Sequence, residues 1–170
     1  MLYGNNRPYT YIAADWDSDG GVVQTLQRWN DSRTKALSFR NAHDLMQARD
    51  SSLNCTIKSS LSSRLNQSYK FVLIVGDGTK NVRSGACHQC NSYNSYTRHC
   101  ARGYSVDHRS YIDFECEKAV SDDLQIVVLY NSSSVDRSKC PEAVRYKGTH
   151  QAMRNWSGAL DYATIAASIG

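Results

Sequence analysis

Two apolar runs, Phe71-Val-Leu-Ile-Val-Gly76 and Leu124-Gln-Ile-Val-Val-Leu-Tyr130, limit what this chain can become. Both are short, rich in β-branched residues and apolar at consecutive rather than alternate positions. A strand with water on one face alternates; a continuous run needs cover on both, the condition met by a parallel sheet between helical layers. Tyr9-Thr-Tyr-Ile-Ala-Ala14 reads as a first strand and Ala36-Leu-Ser-Phe-Arg40 as a weaker second one. Helical spacing links the strands. Val22, Val23, Leu26 and Trp29 recur through residues 21–29, and Ile57, Leu61 and Leu65 through 55–65. Met153, Trp156, Leu160 and Ile165 do the same in a final helix expected over about 151–169.

The resulting order is strand, helix, strand, helix, strand, long insertion, helix, strand, helix. Such alternation predicts a three-layer, flavodoxin-like α/β fold with right-handed crossovers. With 170 residues, 41% of them hydrophobic, the chain has enough core for one domain spanning residues 1–170. The net charge of +4 is scattered, with no run of like charges, which gives no reason to expect a nucleic-acid partner. The longest apolar segment is far short of a membrane span, and the N-terminal residues lack the apolar core of an export signal. A cytosolic protein with reduced thiols is the expectation.

Ligands of open α/β sheets collect beyond the carboxyl ends of the strands. The loops concerned begin at Ala14-Asp-Trp-Asp17, Arg40-Asn-Ala-His-Asp44, Gly76-Asp-Gly-Thr79 and Asn131-Ser-Ser-Ser134. The glycines after the central strand complete neither a Walker loop nor a dinucleotide fingerprint; they make a plain turn or a place where a ligand meets the backbone. His43 and Asp44 form an acid/base pair or are ordinary loop residues. Trp16 stacks on a ligand or packs in the core.

Ser110-Tyr-Ile-Asp-Phe-Glu-Cys-Glu-Lys-Ala-Val120 reads as a helix opened by a capping pair, Ser110 and Asp113. Tyr111 and Glu115, four apart, share one face. Ile112, Cys116, Ala119 and Val120 supply the apolar stripe. The insertion of about 79–109 is rich in Ser, Asn, Tyr, Arg and Cys and is longer than a connector needs, so it is expected to form a wall or lid over the site. Within it, Cys87-His-Gln-Cys90 and His99-Cys100 have the ligand types of a zinc site but fall short of a full set. Free thiols are the expectation there, with no metal and no cofactor. Cys55 and Cys116 read as small core residues.

Taken in order, these segments resemble a TIR domain, in particular the TIR-like branch of bacterial Thoeris antiphage systems. The resemblance rests on Tyr9-Thr-Tyr-Ile-Ala-Ala14, Ser38-Phe39 with Asn41 and His43-Asp44, and Ile57-Lys-Ser-Ser-Leu61 running to Ser68. Phe71 to Gly76 with Thr79, and Tyr111-Ile-Asp-Phe-Glu115, complete it. The family's aromatic-xxx-Glu motif, which supplies the glutamate that cleaves NAD+, falls on Tyr111 and Glu115, with tyrosine in place of the usual tryptophan. The resemblance implies catalysis by Glu115. It implies substrate contacts from Ala14, Asp15, Trp16, Phe39, Asp44, Gly76, Thr79 and Tyr111. NAD+ is then a substrate, and ADP-ribose or a cyclic isomer the product, sensed by a separate effector. Homo-oligomers through TIR contacts are also implied, with no membrane and no nucleic acid involved. A non-catalytic TIR-type interaction module is the alternative from another class.

Overall fold

The computed structural model describes residues 9–34, 37, 39 and 53–170, apart from the side chain of Trp16. Strand β1 (Tyr9–Ala13), β2 (Ser68–Val75), β5 (Gln125–Tyr130) and β6 (Thr149–Ala152) form a parallel sheet in the order β1-β2-β5-β6. Tyr11 lies opposite Phe71, Val72 opposite Val127 and Val128 opposite His150. The flavodoxin-like arrangement expected from the apolar runs is present. The weaker strand expected at residues 36–40 lies mostly outside the described residues.

Alternation within each strand divides the core into two layers. Tyr11, Phe71, Leu73, Val75 and Val128 face helices α2 (Asn54–Asn66) and α3 (Tyr111–Ser121), meeting Ile57, Leu61, Leu65, Ile112 and Cys116. Ile12, Val72, Ile74, Val127 and Leu129 face α1 (Trp16–Asn30) and α4 (Tyr162–Ile169), meeting Val22, Val23, Leu26 and Ile165. Phe71 to Ile74 are wholly excluded from water, each large apolar side chain contributing about 1.5–3 kcal/mol. Lys70 is buried and satisfied, its Nζ donating to Ile169 O at 2.8 Å and Gly170 O at 3.1 Å at the carboxyl end of α4.

Helix α1 begins five residues before the apolar period does, at Trp16 instead of Gly21. Asp15 caps it, accepting from Asp17 N–H at 3.2 Å, and Asp17 and Asp19 place negative charge at its amino end. The final segment departs further. Thr149–Ala152 form strand β6, so residues 151 and 152 are strand instead of helix, α4 spans only Tyr162–Ile169, and Trp156 is exposed. The chain turns between them: Asn155 N–H donates to Ala159 O at 2.8 Å, and Gly158 takes φ +84°. The edge of β5 is taken by residues 149–152, just ahead of the segment whose spacing fitted a helix.

The insertion carries two 3-10 turns, Thr79–Asn81 and Cys87–Gln89, and a small antiparallel hairpin, β3 (Tyr93–Asn94) with β4 (His99–Cys100). Among the described residues no helix is long and apolar enough to cross a membrane.

Candidate active site

Helix α3 starts as its capping pair requires. Ser110 Oγ accepts from Asp113 N–H at 3.1 Å and donates to Asp113 Oδ2 at 2.8 Å. One turn further, Glu115 points into the layer between the sheet and α2 and α3, where only 3% of it is exposed. The Tyr11 hydroxyl, from the middle of β1, donates to Glu115 Oε1 in a short hydrogen bond. Burial pushes the Glu115 carboxyl up to about 8, against the opposing pull of the Tyr11 hydrogen bond. The same burial, with Glu115 beside it, holds the Tyr11 phenol well above its ordinary value. Both shifts favour the protonated forms of the two groups.

Tyr111 shares the helix but serves a different contact. Its hydroxyl donates to Asn54 Oδ1 at 3.2 Å, and its ring lies under Gly85, where an added Cβ would come 2.6 Å from the ring. Gly85 has φ +99°, a conformation glycine tolerates. Tyr111 thus clamps the insertion onto α2. Other bonds tie the same junction. Asn54 Nδ2 donates to Ala86 O at 3.0 Å, and Lys58 Nζ donates to Arg109 O at 2.7 Å and pairs with Asp107 at 3.2 Å. Burial opposes ionisation of Asp107, but hydrogen bonds from Arg109 and the Lys58 charge hold its carboxyl down at about 2. The phenol of Tyr111 rises to about 12 through burial, with Cys90, Cys55 and Cys87 nearby adding to the shift.

A second polar group lies on the other side of the sheet, where α1 meets the carboxyl ends of β2 and β5. Asp19 is 3% exposed; its Oδ1 accepts from Asn131 Nδ2 at 2.8 Å, and Asn131 Oδ1 in turn accepts from Arg154 Nε at 2.7 Å. Burial raises the Asp19 carboxyl, and the charges of Asp15 and Asp77 add to the shift against the Asn131 hydrogen bond. Its carboxylate fills the space a side chain at Gly76 would need. The Gly76 N–H donates to Thr79 Oγ1 at 2.8 Å, closing the turn after β2.

Of the residues expected to contact substrate, Asp15, Gly76 and Thr79 gather around this second group, with buried Ala14 at the end of β1. Phe39 does not join a site: it packs in the layer beneath α1 and α4, its backbone N–H and C=O held by Asn30 at 3.0 and 2.9 Å. Asp44, His43 and the Trp16 side chain lie outside the described residues. Asn131 opens one of the strand-end loops expected at a site, whereas Tyr11 and Asp19 carried no signal in the sequence. Tyr11 sits inside an apolar strand, and the polar residues acquire their partners across gaps of 104 and 112 residues. Cys55 is half-buried and stands among the insertion's thiols, not in the core; Cys116 is in the core as expected.

Residues 11–84 match the family model described as Thoeris protein ThsB, TIR-like domain. Over that stretch the chain is similar to the Thoeris TIR-like domain. The matched part of the chain runs from Tyr11 through β1, α1, α2 and β2 to Ser84. The insertion and α3, with Tyr111 and Glu115, follow it. No curated protein matches the chain.

Proposed function

We propose that this TIR-like domain cleaves the nicotinamide–ribose bond of NAD+, with Glu115 as the carboxylate that holds the ribose. The reading is carried by one observation: a buried glutamate one helical turn after an aromatic on α3, met by a hydroxyl from β1. The similarity of residues 11–84 to the Thoeris TIR-like domain supports it and points to antiphage defence. In the reaction the C1–N bond of the nicotinamide riboside breaks, its electron pair leaving with neutral nicotinamide. Positive charge then develops on the ribose C1 and ring oxygen, where an ionised carboxylate in a water-poor site is strongly stabilising. Attack by water, with loss of its proton, gives ADP-ribose. Attack by a nucleophile on the adenosine half gives a cyclic isomer, the form suited to a separate effector. Because Glu115 is covered in the conformation described, substrate entry has to open the α3 face, and ribose hydroxyls then replace the Tyr11 hydroxyl.

The burial of Glu115 also favours a second reading, a TIR-type interaction module in which the Tyr11–Glu115 pair only orders the core. Incubating purified protein with NAD+ and identifying every product by mass spectrometry separates the two. Nicotinamide release that disappears in Glu115→Gln supports the enzyme. Release unchanged in that variant removes Glu115 from the reaction, and no release from the folded parent leaves the module.

A further inference from the structure

Cys55, Cys87, Cys90 and Cys100 line one small cavity between the insertion and α2, with Tyr93 and Tyr104 at its sides. They arrive from three separate places. Cys55 is the second residue of α2; Cys87 and Cys90 bracket a single 3-10 turn, with Cys90 N–H donating to Cys87 O at 2.9 Å; Cys100 ends β4, paired across the hairpin with Tyr93. The cavity of about 10 Å³ has room for one small guest. Its lining contains no carboxylate and no imidazole.

We propose that these four thiols form a structural site for one zinc-class cation, fastening the insertion to the amino end of α2. Four sulfur donors around a single small space match the tetrahedral site that zinc prefers, and hard cations such as magnesium or calcium find no oxygen cage there. An iron–sulfur cluster, which brings several atoms of its own, exceeds the room. Cys87 Sγ accepts the Asp107 N–H at 3.1 Å, and Cys55 lies in the first turn of α2. The Asn54 to Ala86 hydrogen bond holds the chain neighbours of Cys55 and Cys87 together. His99, a ligand candidate on spacing alone, is exposed, turns Nδ1 to Thr97 O and does not line the cavity; Cys55 takes its place in the set.

Among the described residues no three His, Cys, Asp or Glu side chains are already drawn together as a metal's ligands. Binding therefore contracts the site: the cation pulls the sulfurs onto itself, and each thiol that binds releases its proton to solvent. The inference is independent of the NAD+ reading, since it concerns the anchoring of the insertion and not the chemistry at Glu115.

Cobalt(II) titrated anaerobically into the reduced, full-length chain tests it. The expected result is about one equivalent bound, with sulfur-to-cobalt charge-transfer absorption and the intense visible bands of a tetrahedral four-sulfur site, displaced by zinc. Cys55→Ser is expected to weaken binding by roughly tenfold or more and to change the visible bands, whereas His99→Ala leaves both as in the parent. A folded parent chain with no charge-transfer band overturns the proposal. So does loss of the signal in His99→Ala with retention in Cys55→Ser, or purified protein carrying iron with acid-labile sulfide.

Discussion

The hydroxyl of Tyr11 on β1 donates to the carboxyl of Glu115 on α3, joining residues 104 positions apart in a layer otherwise filled by apolar side chains. A buried carboxyl is costly when ionised and needs a partner when neutral. This pairing sets the pH behaviour of the domain.

Glu115→Gln is expected to stabilise the domain at pH 8 and to converge on the parent near pH 4. Burial raises the native carboxyl from 4.5 to about 8. Between those values the unfolded chain gives up a proton that the folded chain keeps, so parent stability falls as pH rises, by about 1.4 kcal/mol per unit at the steepest. Above about 8 the slope disappears. Glutamine keeps an acceptor for Tyr11 and does not titrate. Urea midpoints across this range check the prediction; parallel curves for the two proteins refute it.

Tyr11→Phe leaves a buried carboxyl oxygen without this donor, at a cost of about 1–3 kcal/mol. Since the Tyr11 hydrogen bond lowers the Glu115 carboxyl, its removal moves the end of the pH-dependent slope to higher pH. A loss of stability with an unmoved slope assigns Tyr11 to packing alone.

Nicotinamide release by the parent is expected to rise with pH toward about 8, as Glu115 becomes ionised, and to fall by roughly 10²–10³ in Glu115→Gln. Glu117, which faces solvent and pairs with Arg109 at 2.7 Å, should accept the same change without loss. Equal losses in both variants would separate the activity from Glu115.

Gly85→Ala forces a methyl against the Tyr111 ring at 2.6 Å and strains a backbone at φ +99°. The expected cost is about 1–3 kcal/mol, concentrated in the insertion. Hydrogen exchange should quicken in residues 84–110 and stay slow in β2 and β5; uniform quickening would mean that the clamp supports the whole fold.

Gly76→Ala is expected to cost a similar about 1–3 kcal/mol, because the new methyl overlaps the Asp19 carboxylate. Combining it with Asp19→Ala removes the clash, so the double variant should be more stable than the sum of the single losses allows. Additive denaturation energies would show that the overlap is relieved elsewhere.

Much of this protein is determined locally, and that part was legible in its sequence. The runs 71–75 and 126–130 can be satisfied only between two layers, and Ser110 with Asp113 starts α3 through atoms three residues apart. The amphipathic spacing of α2 likewise identified the face with Ile57, Leu61 and Leu65 that it buries. What depended on distant partners was not legible. Residues 149–152 became a strand beside β5, a pairing that the helical spacing read from Met153 onward could not register. The sequence placed Glu115 on one helical face with Tyr111; the sheet brought Tyr11 to it and made it a buried carboxyl. Cys55 looked like core filler until folding set the amino end of α2 against the cysteine turn of the insertion. Periodicity and capping are energies between near neighbours, so the sequence alone determines them, whereas pKa, burial and ligand sets depend on which remote atoms arrive, and only the tertiary structure decides that.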